Sequence, residues 1–268
     1  MIKLVIVVAC VVLLWLVMPA VCLLSPELSD ITVREFAYNR ISMNIGSDML
    51  EVNSWAYLKE EQDGWLKIED AIDSNPFNDL VRGIGWCDQK SWLVQTILDR
   101  RGIKSRLMMF PCHTLLEVVD GERLRYLDPA FNCEVFYNNG KYGDQEYKGK
   151  CINDYSCKYS GYYDGVHCFI GKFMATYPDL YVDKWVDLYL NGKSVLYSAR
   201  VYHLFNRVEE ARDRYVQLIS TDQCDQALYF LATLQLDQGD FDINCQPPNG
   251  SYLELLPLYK TKLQDVKR

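Results

Sequence analysis

The chain has 268 residues, 49% hydrophobic, 24% charged and 13% aromatic. That is ample for a well-packed core with an appendage and excludes a disordered chain. The formal charge is −8, and no basic block is longer than Arg100-Arg101, so nucleic acid is not expected as a partner: phosphate binding needs clustered Lys and Arg.

From Leu4 to Leu24 no residue is charged, and a run of this length can cross a hydrocarbon core as a helix. Lys3 precedes it, while Glu27 and Asp30 follow. The flanking charge favours the N-terminus inside and the rest outside. The expectation for residues 1–24 is a transmembrane anchor. Pro19, Ala20 and Cys22 leave open a cleaved signal segment, which would make the protein secreted. Either way the main domain is expected outside the cytoplasm.

Residues 25–80 read as mostly helical and polar-faced. Ser47 or Asp48 can cap a helix running towards Glu60, and Asp48, with Glu51 three residues on, resembles a capping box. A further helix is expected from Trp65 to Ile72, ending before Ser74-Asn75-Pro76. Gly83-Ile84-Gly85 is a loop. Asp88 to Arg101 has helical spacing of Trp92, Leu93 and Ile97, and Gly102 follows as a stop. Ile103–Phe110, Thr114–Val119 and Glu122–Leu127 read as strands, with Asp120-Gly121 as a two-residue hairpin turn between the last two.

Residues 131–165 form a Tyr-rich, loop-like insertion, and an insertion of that length is usually functional or cross-linked. From Phe169 onward the pattern is helical, with amphipathic helices over Ala199–Leu218 and Gln226–Leu236. The expected organisation is therefore a segment 1–24, a catalytic-type domain 25–168 and a helical C-terminal subdomain 169–268. The C-terminal helices are a possible docking surface for a protein partner.

Of the 10 cysteines, Cys10 and Cys22 lie in the apolar run. Outside the cytoplasm the others can oxidise. Cys224 with Cys245, and Cys151 with Cys157, are the pairs that the spacing suggests first. Cys112-His113 and His167-Cys168 raise the question of a metal. Neighbours on a strand point to opposite faces, so each pair offers one ligand, and no Cys-x-x-Cys is present. No metal and no cofactor are expected. His167 and His203 read as packing or surface residues.

Cys87 follows a glycine loop and opens a helix, where unpaired N–H groups and the positive end of the helix dipole favour a thiolate. With Asp120-Gly121 as the turn, Val119 faces Glu122, and the same count sets His113 directly opposite Asp128 on one face. Cross-strand neighbours of that kind have Cβ atoms about 4.5–5.5 Å apart, close enough for a carboxylate to hold an imidazole.

Gly85-Trp86-Cys87-Asp88-Gln89-Lys90-Ser91, then Gly102-Ile103, His113-Thr114-Leu115-Leu116-Glu117-Val118 and Arg125-Tyr126-Leu127-Asp128-Pro129, resemble the transglutaminase-like superfamily over residues 83–131. The match is the ordered combination of Cys opening a helix, His opening a strand and Asp-Pro closing the next. Leu115 departs from it, since many members carry a tryptophan after the histidine.

The resemblance implies an α+β fold with a papain-like core, and a thiol acyl-transfer site with Cys87 as nucleophile, His113 as base and Asp128 as the residue orienting the base. Trp86 is a candidate for lining the substrate cleft. Cys87 would attack a carboxamide or peptide carbonyl, with its own backbone N–H as an oxyanion donor. His113 would protonate the leaving amine, then activate water or an amine. The expected substrate is a peptide or protein. The competing expectation is an inactive module of the same fold, binding or assembling at a membrane or cell envelope.

Overall fold

The computed structural model describes residues 26–46, 48–60, 76–83, 85–110, 113–135, 137–138, 141–142, 145–146, 150–151, 179–238 and 252–266. The apolar run before Leu24, the helix expected over Trp65–Ile72 and most of the Tyr-rich insertion lie outside these residues. Among the described residues no helix is long and apolar enough to cross a membrane.

Helix α1 (Pro26–Asn44) buries Val33, Phe36, Ala37 and Ile41. Their spacing is the apolar stripe of a core-facing helix. The polar-faced reading of this region is thus corrected. Interleaved Arg34 and Glu35 disguised the stripe, and Glu35 is itself buried and ion-paired to Arg100 at 2.5 Å. Helix α2 (Met49–Lys59) has Asp48 as its N-cap, the Leu50 N–H donating to the Asp48 side chain at 3.1 Å, a simple cap in place of the expected capping box with Glu51. A short helix α3 (Pro76–Arg82) begins at the proline that had read as an end. Proline suits a first helical turn because its missing N–H would be unsatisfied there anyway.

Helix α4 (Cys87–Arg100) ends as a Schellman motif. Gly102 takes a φ of 71°, its N–H donates to Asp99 O, and Ile103 N–H donates to Leu98 O. The chain then enters strands β1 (Ser105–Phe110), β2 (His113–Asp120), β3 (Arg123–Asp128) and β4 (Cys133–Val135), all antiparallel. Pieces β5 (Tyr137–Asn138), β6 (Lys141–Tyr142) and β7 (Gln145–Glu146) form a separate small sheet. Strand β8 (Lys150–Cys151) adds to β1, giving the main-sheet order β4-β3-β2-β1-β8.

The β2–β3 turn is Gly121-Glu122, not Asp120-Gly121. Asp120 pairs with Arg123 and Leu116 with Leu127. Gly121, with φ 62°, holds the first central position, where a type II′ turn calls for glycine. The register is thus two residues away from the expected one. A shift of two leaves every side chain on its expected face, because strands alternate with period two.

One face of the sheet contributes Leu107, Leu116, Val118 and Leu127 to the main core, shared with Leu93, Val94, Ile97 and Leu98 of α4. The other face carries a smaller cluster of Met108, Phe110, Leu115 and Tyr126.

Helices α5 (Asp179–Leu190), α6 (Val195–Leu204), α7 (Val208–Leu218), α8 (Cys224–Gln238) and α9 (Leu256–Val266) complete the fold, with a 3₁₀ turn over Tyr252–Leu255 before α9. The single helix expected over Ala199–Leu218 is two. Asn206, with φ 58°, closes α6, its N–H donating to His203 O and that of Arg207 to Tyr202 O. This is again a Schellman cap, with asparagine in the left-handed position that glycine usually takes. Residues from α1, α4, the sheet and α5 to α8 share one buried cluster. The fold is a mixture of helix with a main antiparallel sheet and a small second one, in keeping with the α+β class.

Candidate active site

The glycine loop is shaped by a close approach. A Cβ on Gly85 would lie 1.9 Å from Oε2 of Glu60, which is fully buried. Among the described residues, neither carboxyl oxygen of Glu60 has a hydrogen-bond partner. Burial pushes its pKa well above the usual range, against the pull of Lys90. Only a residue without a side chain fits beside that carboxyl group.

Trp86 is the cap residue of α4, half-buried, and its N–H donates to Oε1 of Gln89 at 2.8 Å. Cys87 is the first residue of the helix, half-buried, with a free thiol. Its backbone N–H belongs to the first turn, which has no carbonyl partner within the helix.

Two side chains seat α4 on the sheet. Ser91, one turn beyond Cys87, is buried and its hydroxyl donates to the carbonyl of Thr114 at 3.1 Å. Gln95, another turn on, donates to the carbonyl of Ser105 at 3.2 Å. Thr114 follows His113 directly, so the first bond fixes the Cys87 end of the helix against the start of β2. Cys87 stands within hydrogen-bond reach of His113.

His113 Nε2 lies 2.6 Å from Oδ2 of Asp128. The β2–β3 pairing ends at Leu116 and Leu127, so Asp128 continues it towards Leu115, two residues from His113, which itself pairs with Phe110 on β1. The contact is therefore diagonal across the hairpin, a correction to the directly opposed pair. Diagonal positions are about 7–8 Å apart at the backbone, within reach of a ring and a carboxylate extended towards each other.

The turn after β3 aims the carboxylate. Phe131 N–H donates to Asp128 O at 3.3 Å, closing a turn with proline at its second position. The Ala130 N–H donates to Asp128 Oδ1 at 3.0 Å, leaving Oδ2 for the histidine. Asp128 is completely buried. From α2, Asn53 Nδ2 makes a long 3.5 Å contact with the Asp128 carbonyl, and Ser54 donates to the side chain of Asn132 at 2.8 Å. Asn132 itself is left-handed, with φ 52°.

The hydrogen bond to Asp128 first, then that to Cys87, outweighs burial and pushes the pKa of His113 up to about 10. With Nε2 committed to Asp128, Nδ1 is the ring nitrogen left for the thiol. The arrangement favours a charged imidazolium with the Cys87 thiol beside it. Cys133, also free, pairs opposite Asp128 across β3 and β4. Burial pushes its thiol up, and the Asp128 carboxylate adds to that. Cys133 therefore neighbours the Asp128 carboxylate, while Cys87 contacts His113.

Phe131 is 69% exposed, with its ring centroid 5.6 Å from that of His113. It had only been the start of an insertion in the sequence, and no local pattern marks it. Ser91, Asn53 and Glu60 were likewise unmarked, since each acts on an element distant in sequence. Cys224 is free, so its expected pairing with Cys245 is not found; it opens α8 and packs on the core. His167, Cys168, Cys112 and Cys157 lie outside the described residues.

Among the described residues, no group of three or more His, Cys, Asp or Glu is placed to hold a metal ion. No family model, curated protein or solved structure matches this chain.

Proposed function

We propose that this protein is a thiol acyl-transfer enzyme of the transglutaminase-like, papain-like type, acting on a peptide or protein outside the cytoplasm and held to a membrane by residues 1–24. The observation that carries the reading is the buried Asp128 carboxylate 2.6 Å from Nε2 of His113, whose other partner is the free thiol of Cys87.

In this reading His113 holds the proton and Cys87 is the thiolate. Cys87 Sγ adds to the amide carbonyl, and the oxyanion meets the first-turn N–H of α4. His113 gives its proton to the leaving amine as the C–N bond breaks, leaving a thioester on Cys87. It then takes a proton from water or a second amine as that nucleophile displaces the thiolate. Asp128 keeps the ring oriented and stabilises its charged form. Trp86, which precedes Cys87 at the helix cap, and Phe131, beside the His113 ring, are the candidate aromatic walls of the substrate cleft.

Intact-mass analysis of the full chain, quenched in acid during reaction with a mixed peptide pool, tests this. An acyl adduct on Cys87 that is absent from Cys87→Ala supports it. A wild-type chain that never acquires an adduct, while binding peptides equally with and without Cys87, would instead indicate a binding module.

A further inference from the structure

Away from Cys87, a cavity of about 950 Å³ opens among α1, α2, α6, α8 and α9. Ile41, Trp55 and Leu234 contribute apolar wall, while Lys59, Arg200, His203 and Asp237 contribute charge and polarity. None of Cys87, His113 or Asp128 lines it. Its size and mixed lining are those of a small-molecule site.

His203 is the informative side chain, at 9% exposure. Its Nδ1 lies 3.3 Å from Nη1 of Arg200 and 3.2 Å from the Tyr215 hydroxyl. A guanidinium can only donate, so Nδ1 accepts and the proton sits on Nε2. Burial lowers the ring's pKa to about 4, against Asp237 and with the help of Arg200 and Lys59, so the ring is neutral. The buried Nε2–H therefore needs an acceptor, and among the described residues none lies within hydrogen-bond distance. Asp237 Oδ2, at 3.8 Å, is beyond hydrogen-bond reach.

The neighbouring groups are already committed. Asp237 accepts from Lys59 at 2.5 Å and from the Tyr259 hydroxyl at 2.6 Å. Arg200 donates to the carbonyls of Leu80 and Val81. Arg40, also in the lining, stands 3.7 Å from Asp183, and Glu51, the other acid there, is exposed. Lys59 and Arg200 against Asp237 leave the polar end one positive charge in excess. A buried donor without an acceptor is costly to keep, and a net positive, partly desolvated end favours an anion.

We propose that this cavity binds a small amphipathic monocarboxylate, its carboxylate accepting the Nε2–H of His203 beside Lys59 and its apolar body lying against Ile41, Trp55 and Leu234. The site is independent of the thiol chemistry and stands whether or not Cys87 is a nucleophile.

Calorimetric titration of the full chain with 3-phenylpropionate, its amide and 3-phenylpropylammonium is the test. Saturable one-site binding of the carboxylate is expected, about fivefold or more weaker for the amide and absent for the amine. His203→Phe, which removes the donor, and Ile45→Trp, which fills the cavity from a position in its lining, are each expected to weaken carboxylate binding about tenfold or more. If His203→Phe loses its cooperative melt, Ile45→Trp and the probe series decide. The assignment is overturned by no saturable binding, by equal binding of the amide or amine, or by Ile45→Trp binding like the wild type.

Discussion

Asp128 divides its carboxylate between two partners, the backbone N–H of Ala130 at 3.0 Å and Nε2 of His113 at 2.6 Å. The first bond is made inside the Asp-Pro turn and fixes the side chain before the histidine is considered. The second crosses the hairpin diagonally. Substituting Asp128 with Asn keeps the volume and the turn but supplies an amide where a charge was. The imidazolium loses its counter-charge and the ring its tautomer preference, a change that costs triad enzymes about 10⁴ in turnover. Asp128→Asn is expected to slow Cys87 acylation by at least about 10²-fold, read as the rate of adduct formation by mass spectrometry.

The pH dependence of stability carries the same pair. His113 has its pKa raised to about 10 in the folded chain, above the value of about 6.5 for an unperturbed imidazole. A raised histidine contributes stability that is fully present below the unfolded value and is lost as pH rises through the folded one. The difference in melting temperature between wild type and His113→Gln should thus be largest near pH 6 and shrink steadily towards about pH 10. A difference constant across that window would mean that the ring is not held charged.

Ser91 is expected to matter for reactivity without touching substrate. Ser91→Ala leaves the Thr114 carbonyl without its partner and frees the Cys87 end of α4 from β2. The loss of one buried hydrogen bond should lower stability by about 1–2 kcal/mol in denaturant titration. Thiol alkylation at Cys87 should slow as well, while an equivalent change at Gln95, two turns from the thiol, should lower stability alone.

The Gly85–Glu60 contact predicts a coupled pair. A methyl group at position 85 would meet Glu60 Oε2, so Gly85→Ala should destabilise by about 1–3 kcal/mol, the usual range for overpacking. Glu60→Ala in the same chain should restore part of that loss. A double-mutant cycle that came out additive would mean the loop moves aside and the contact has no role in setting the position of Cys87.

The parts of this fold visible in sequence are those fixed by short-range chemistry. Helix α4 announces itself through Gly102, which takes the left-handed φ its C-terminal cap requires. Asp48 caps α2 for an equally local reason. The β2–β3 register was legible in parity but not in detail: both Asp120-Gly121 and Gly121-Glu122 are plausible two-residue turns, and only the assembled sheet selects the second. Because the two differ by two residues, His113 and Asp128 stay on one face in either.

What depends on distant packing was hidden. Nothing near Ser91 in the sequence points to Thr114, nothing near Glu60 to Gly85, and nothing near Glu35 to Arg100. The break at Asn206 was missed because apolar spacing continues through it and a non-glycine residue supplies the positive φ.

The proposed chemistry needs Cys87 activated by His113, and alkylation kinetics address that most directly. The full chain and His113→Ala are treated with iodoacetamide across pH 5 to 9, and Cys87 modification is followed by peptide mass spectrometry. Fast labelling of wild-type Cys87, slowed by His113→Ala to the rate of an ordinary thiol, is the predicted result. Wild-type labelling that follows the ordinary thiol profile and is unchanged by His113→Ala would contradict it.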